Sequence, residues 1–235
     1  WSSSSSPSFV HTIESFKTFS HIFSSGILSI ARRTNNNHPS SYSSFVPTPA
    51  QMAILQLNHG ANPMETDMVG IGLLQWMAGT GNADGLMVLL KTLVGEEEGE
   101  NDVVGDVLLN SRKAKLGATA LHWACAGVED KSIGCGGHID TCKLLLNKAG
   151  AKNKNLANAE TTTDGTPLMW ASWAANSSSR SSLDIIKLLL SNGANPHAID
   201  ENGANAADWA LFGGNMLICR FWKDEFGMEC AKFGP

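Results

Sequence analysis

Thr119-Ala120-Leu121-His122-Trp123-Ala124 and Thr166-Pro167-Leu168-Met169-Trp170-Ala171 carry one six-residue pattern twice, 47 residues apart. The frame returns upstream as Leu73-Leu74-Gln75-Trp76-Met77-Ala78 and downstream as Ala206-Ala207-Asp208-Trp209-Ala210-Leu211, so the tryptophans are spaced by 47, 47 and 39 residues. Each of the first three copies is followed by an apolar doublet, Leu89-Leu90, Leu144-Leu145 and Leu189-Leu190, in a helical context. A fixed period of tens of residues marks units that bury their apolar faces only by stacking on one another. Two helices per period is the implied unit.

The punctuation repeats as well. His59-Gly60-Ala61-Asn62-Pro63 precedes the first unit and Asn192-Gly193-Ala194-Asn195-Pro196 the last, with Asp67 and Asp200 four residues on. Glycine just past a Leu-rich helix supplies the left-handed cap, and the proline cannot continue the helix. With frame and punctuation together, the chain resembles the ankyrin repeats, whose hallmark is a turn, T-P-L-H-x-A, a short helix, a Gly-His turn and a second helix ending in L-L-x-x-G-A-D/N. The match runs over roughly residues 52 to 228 and implies an all-α solenoid of stacked helix-turn-helix units.

The chain departs from the family in length. Against a period of ~33 residues the three intervals carry about 14, 14 and 6 extra. The surplus is expected at Gly95 to Ser111, at Val128 to Gly137 with Lys152 to Thr161, and at Asn176 to Ser182, all Gly, Ser or charge rich and so read as loops. The last copy has Ala206-Ala207-Asp208 where Pro-Leu-His would stand. It reads either as a degenerate unit that caps the stack or as the point where a longer array is cut.

Composition divides the chain near Pro47 to Pro49. Residues 1–49 hold 15 serines and one acid, Glu14, against Lys17, Arg32 and Arg33, for a local charge of +2. The other 186 residues carry 14 basic and 21 acidic side chains, or -7. Phe16, Phe19, Ile22, Phe23, Ile27 and Ile30 recur at helical spacing ahead of the Arg pair. Ser-rich, Arg-containing, acid-poor and amphipathic is the pattern of a transit peptide for chloroplast or mitochondrion. The alternative is a disordered polar tail in a protein of the cytoplasm or nucleus. The expected organisation is a Ser-rich segment over 1–49 and a repeat domain over 50–231. The chain opens with Trp1, so its start is expected to lie further upstream.

Charge and hydropathy narrow the function classes. Seventeen Lys plus Arg against 22 Asp plus Glu leave a net charge of -5, with no electrostatic footprint for nucleic acid. The most hydrophobic window, Gly85 to Gly95, is broken by Lys91 and spans about half of the ~20 apolar residues a membrane helix needs. Five cysteines, all in the second half, read as reduced intracellular thiols.

Candidate chemistry is sparse. His122, Cys125, Cys135, His138 and Cys142 offer sulfur and imidazole at zinc-like separations, but scattered rather than in two tight clusters. The resemblance places His122 and His138 at turn positions and Cys142 inside a second helix. The acidic run Glu96 to Asp102 lacks the alternating order of a calcium loop, and no G-x-S-x-G, phosphate-binding loop or H-E-x-x-H occurs. No enzyme activity, cofactor or metal is expected. The resemblance implies a monomeric scaffold that binds a protein or peptide through the concave face of the array. The rival is a regulatory or recruitment module of a longer, enzyme-containing chain.

Setting the copies in register puts the turn tips at Met68, Val69 and Ile71; Lys115, Leu116 and Ala118; Thr162 and Thr163; and Glu201, Asn202 and Ala204. Thr80, Trp173 and Phe212 fall at or beside the variable helix position on the same side. These residues are the expected partner-binding set, with Trp173 and Phe212 as aromatic anchors.

Overall fold

A computed structural model of the chain describes residues 71–94, 106–109, 116–129, 132–133, 136–174 and 180–230. The Ser-rich segment, the punctuation around Gly60 and the acidic run fall outside the described residues. Nine α-helices are described with bounds: α1 (Leu73–Gly79), α2 (Ala83–Val94), α3 (Ala120–Ala126), α4 (Ile139–Lys148), α5 (Asn153–Ala157), α6 (Pro167–Trp173), α7 (Arg180–Ser191), α8 (Ala206–Phe212) and α9 (Met216–Phe226). Four helix pairs, α1–α2, α3–α4, α6–α7 and α8–α9, are the stacked units, and α5 is an addition between the second and third.

The repeated frame forms each short first helix, and one local device starts all four. The third residue of the helix reaches back to accept the otherwise unpaired N–H of the residue before it. Gln75 Oε1 accepts from Gly72 N at 3.2 Å, His122 Nδ1 from Thr119 N at 3.1 Å, Met169 Sδ from Thr166 N at 3.4 Å, and Asp208 Oδ2 from Asn205 N at 3.0 Å. Four different side chains do the same work at one register position.

A second recurring bond ties the first helix to its partner in the first, second and last units. Asn82 N donates to Met77 O (3.0 Å), His138 N to Ala124 O (2.9 Å) and Asn215 N to Ala210 O (2.8 Å). In the second unit nine extra residues separate donor from acceptor, yet the bond survives. The insertion is looped out as a small hairpin, β1 (Val128–Glu129) against antiparallel β2 (Ser132–Ile133), with Val128 opposite Ile133.

Two expected loops are more structured than their composition suggests. Lys152 to Thr161 contains α5, preceded by a 3-10 turn at Gly150–Lys152, and buries Leu156 and Ala157 completely. Its end is bonded to the close of α7: Asn158 Nδ2 donates to Gly193 O at 2.8 Å, and Asn195 N to Asn158 Oδ1 at 2.7 Å. Within Gly95 to Ser111, residues 106–109 are helical and Leu108 is fully buried. Single apolar residues in these polar segments return the chain to the core. Ser182, placed at the end of the third surplus, lies inside α7 and is buried.

The core runs unbroken through all four units. Leu89 and Leu90 of α2 match Leu145 and Leu146 of α4, one residue beyond the expected doublet, because the register is counted from the turn residues Asn82 and His138. Short first helices of successive units pack more closely together than the longer second helices do. The first helices and turn tips thus lie along one side of the stack and the second helices along the other.

Candidate functional site

The turn tips are joined into a row. Thr162 N donates to Leu116 O at 2.9 Å, Thr162 Oγ1 reaches the same carbonyl at 3.2 Å, and Glu201 N donates to Thr163 O at 3.2 Å. Each tip is braced from within: Thr161 Oγ1 accepts from Gly165 N at 2.9 Å, and Asp200 Oδ1 accepts from Asn202 N and Ala204 N at 2.9 Å each. Asp200 Oδ2 also accepts from Trp209 Nε1 at 3.0 Å, tying the last tip to its first helix.

On this row Thr162, Glu201 and Asn202 are exposed, Thr163 and Leu116 half-buried, and Thr80 is exposed at the end of α1. Met68, Val69 and Lys115 lie outside the described residues. Ile71, Ala118 and Ala204 depart from the expectation: all are buried, at 5%, 0% and 5% exposure. Ala118 follows Gly117 (φ 67°) and Ala204 follows Gly203 (φ 76°), and this left-handed residue turns the chain inward. At the same place in the third unit Asp164 (φ 59°) precedes buried Gly165.

The two aromatic anchors have unequal access. Phe212 is 55% exposed, whereas Trp173 is half-buried and packs on the core. Trp173 also fixes the neighbouring unit, because its carbonyl lies so close to Gly213 that a side chain there would overlap it.

Trp123, Trp170, Trp222 and His122 are buried and serve packing. Trp123 is buried and meets Trp170 edge-on at 5.7 Å between ring centroids. His122 is fully buried; with Nδ1 accepting from Thr119 N, its Nε2 carries the proton and donates to Gly165 O of the next unit at 3.1 Å. Trp222, missed in the sequence because it lies outside the repeated frame, is fully buried and donates to Ser172 Oγ at 3.2 Å. Ser172 Oγ in turn donates to Leu168 O at 2.9 Å.

Cys125 and Cys142 are both buried with sulfurs 3.9 Å apart. Burial, then the adjacent Cys142 thiol, pushes the Cys125 pKa well up, so Cys125 is held as a thiol. Burial and the neighbouring Cys219 likewise push Cys230 up to about 12. Cys135 lies outside the described residues. Among the described residues no group of three or more His, Cys, Asp or Glu side chains could hold a metal, and no helix is long and apolar enough to cross a membrane.

Residues 49–200 match the family model for ankyrin repeats in three copies. Among solved structures, a chain in the crystal structure of the yeast ribosomal protein Rps3 in complex with its chaperone Yar1 is similar at 24% identity, with a TM-score of 0.52. The alignment covers 68% of this chain and 94% of that one, and at this identity the likeness concerns the fold. No curated protein matches the chain.

Proposed function

The chain belongs to the ankyrin-repeat family, and on that premise we propose that it binds a protein partner along the inner row of turn tips, with Phe212 as the aromatic anchor. The observation that carries this reading is the coexistence of exposure and rigidity. Thr162, Glu201 and Asn202 face solvent while their backbones are bonded to one another or to their own turns. A preformed surface loses little entropy on binding. Among the described residues the exposed tips are mostly neutral and carry no basic cluster, which suits a protein or peptide better than a phosphate. The imidazole best placed for chemistry, His122, is buried and committed at both ring nitrogens. The chain acts by recognition and not by catalysis.

The test compares proteins captured by wild type, by Thr162→Arg with Asn202→Arg, by Phe212→Ala, and by Lys187→Glu on the outer helix α7. At least one specifically captured protein should fall about tenfold or more with the tip pair and with Phe212→Ala, in line with ~2 kcal/mol for an anchor. Lys187→Glu should retain it, and melting temperatures should stay close to wild type. Capture that ignores the tip and anchor changes, or that is lost with Lys187→Glu, overturns the proposal.

A further inference from the structure

Asn-Gly occurs twice in the chain, at Asn192-Gly193 and at Asn202-Gly203. The pair has a chemistry of its own. The backbone nitrogen after an asparagine can attack the side-chain carbonyl carbon and close a five-membered ring, and glycine, with no Cβ, obstructs that approach least. Whether the ring closes depends on how freely the local backbone and side chain can move, and here the two copies differ.

Asn192 follows α7, is half-buried, and has both ends of its amide engaged. Its Nδ2 donates to Leu188 O at 2.8 Å, and its Oδ1 accepts from Asn153 Nδ2 at 3.2 Å. Its N–H is shared between Leu188 O and Leu189 O, Gly193 N donates to Leu190 O and Ala194 N to Leu189 O, while Gly193 lies against the Lys154 side chain. Asn202 stands at the last turn tip. It is exposed, and its side-chain amide has no hydrogen bond among the described residues. Two bonds hold its backbone, Asn202 N to Asp200 Oδ1 and Gly203 N to Asp200 O, each 2.9 Å. A Cβ at Gly203 would meet nothing within 4 Å, so the turn can open without striking a neighbour.

We propose that Asn202 is a site of spontaneous deamidation, favoured over Asn192 by the structure. Gly203 N, released from Asp200 O, gives up its proton and bonds to Asn202 Cγ, and the side-chain nitrogen leaves as ammonia. Water then opens the cyclic imide, at Cγ to give aspartate or at the main-chain carbonyl to give isoaspartate. The net change is amide plus water to carboxylate plus ammonium ion. Opening at Asn202 disturbs one solvated tip, whereas opening at Asn192 must undo the close of α7 and its tie to Asn153. Either product sets a carboxylate beside Glu201. Isoaspartate also adds a main-chain carbon within the turn that Asp200 braces through Asn202 N, Gly203 N and Ala204 N. The last tip thus gains negative charge as the protein ages.

The reaction needs no partner, so its test is independent of the tip-row reading. The purified 235-residue chain is incubated in neutral buffer, folded or in urea, and the replacement of NH2 by OH is followed by mass spectrometry of the peptides that hold each Asn-Gly, with isoaspartate assayed by an isoaspartyl-specific methyltransferase. In the folded chain Asn202 should react at least tenfold faster than Asn192, with isoaspartate among its products. In urea the two rates should converge, because both copies then lose their surroundings. Equal rates or a faster Asn192 in the folded chain, a preference for Asn202 that persists undiminished in urea, or a product free of isoaspartate each overturn the proposal.

Discussion

At the scale of single residues, the structure explains why one frame tolerates Gln75, His122, Met169 and Asp208 at the same position: each accepts the same backbone N–H. His122 also bonds across to the next unit, at Gly165 O. His122→Leu should therefore cost about 1–3 kcal/mol by leaving the Thr119 N–H buried without its acceptor and removing one of the two donors to Gly165 O, the other being Thr161 N. Urea denaturation checks this, and a loss under 1 kcal/mol would show the two bonds to be dispensable. The thiols add a pH dependence. Folded-state pKa values raised above the unfolded value mean stability that is full below about pH 8.5 and lost as pH rises. For Cys230 the loss extends toward its folded value of about 12. The urea midpoint should drop between pH 7 and pH 10, and drop less in Cys125→Ala with Cys230→Ala. The role of His122 was legible from its place in the frame. The burial of Ile71 was not, because a large apolar residue at a turn tip reads alike whether the backbone before it turns in or out.

At the scale of elements, helix pairs were legible because a helix pair repeated at a fixed interval constrains itself four times over. The inserted segments were legible in position and not in content. Their Gly, Ser and charged residues describe a solvated path, while the elements depend on isolated contacts such as Leu108 and Leu156 reaching the core. Tight joints between elements are likewise invisible in composition. Gly213 has an ordinary backbone conformation, and nothing local marks it as special. Its need for glycine comes from the Trp173 carbonyl of the preceding unit. Gly213→Ala should force the last two units apart and cost about 2 kcal/mol or more, within the range for overpacked sites. By contrast Gly203→Ala, where a Cβ meets nothing within 4 Å, should cost only its left-handed strain at φ 76°, about 1 kcal/mol. Thermal melts of the two variants distinguish joint from turn.

At the scale of the whole molecule, one continuous core makes the units interdependent, and the backbone bonds between tips align them along one side of the stack. Family membership points to protein recognition, and the proposed surface for it is the row Leu116, Thr162, Thr163, Glu201, Asn202 with Phe212. The row itself was legible from register, but the difference between Phe212 and Trp173 was not, since only packing shows that Trp173 is half-buried while Phe212 is 55% exposed. The most direct measurement is amide hydrogen exchange of the chain with and without a partner captured in a tip-dependent manner. Protection should appear at Thr162–Thr163, Glu201–Asn202 and the end of α8 around Phe212. Protection confined to α4, α7 and α9 on the outer side, with the tips exchanging unchanged, would contradict the account.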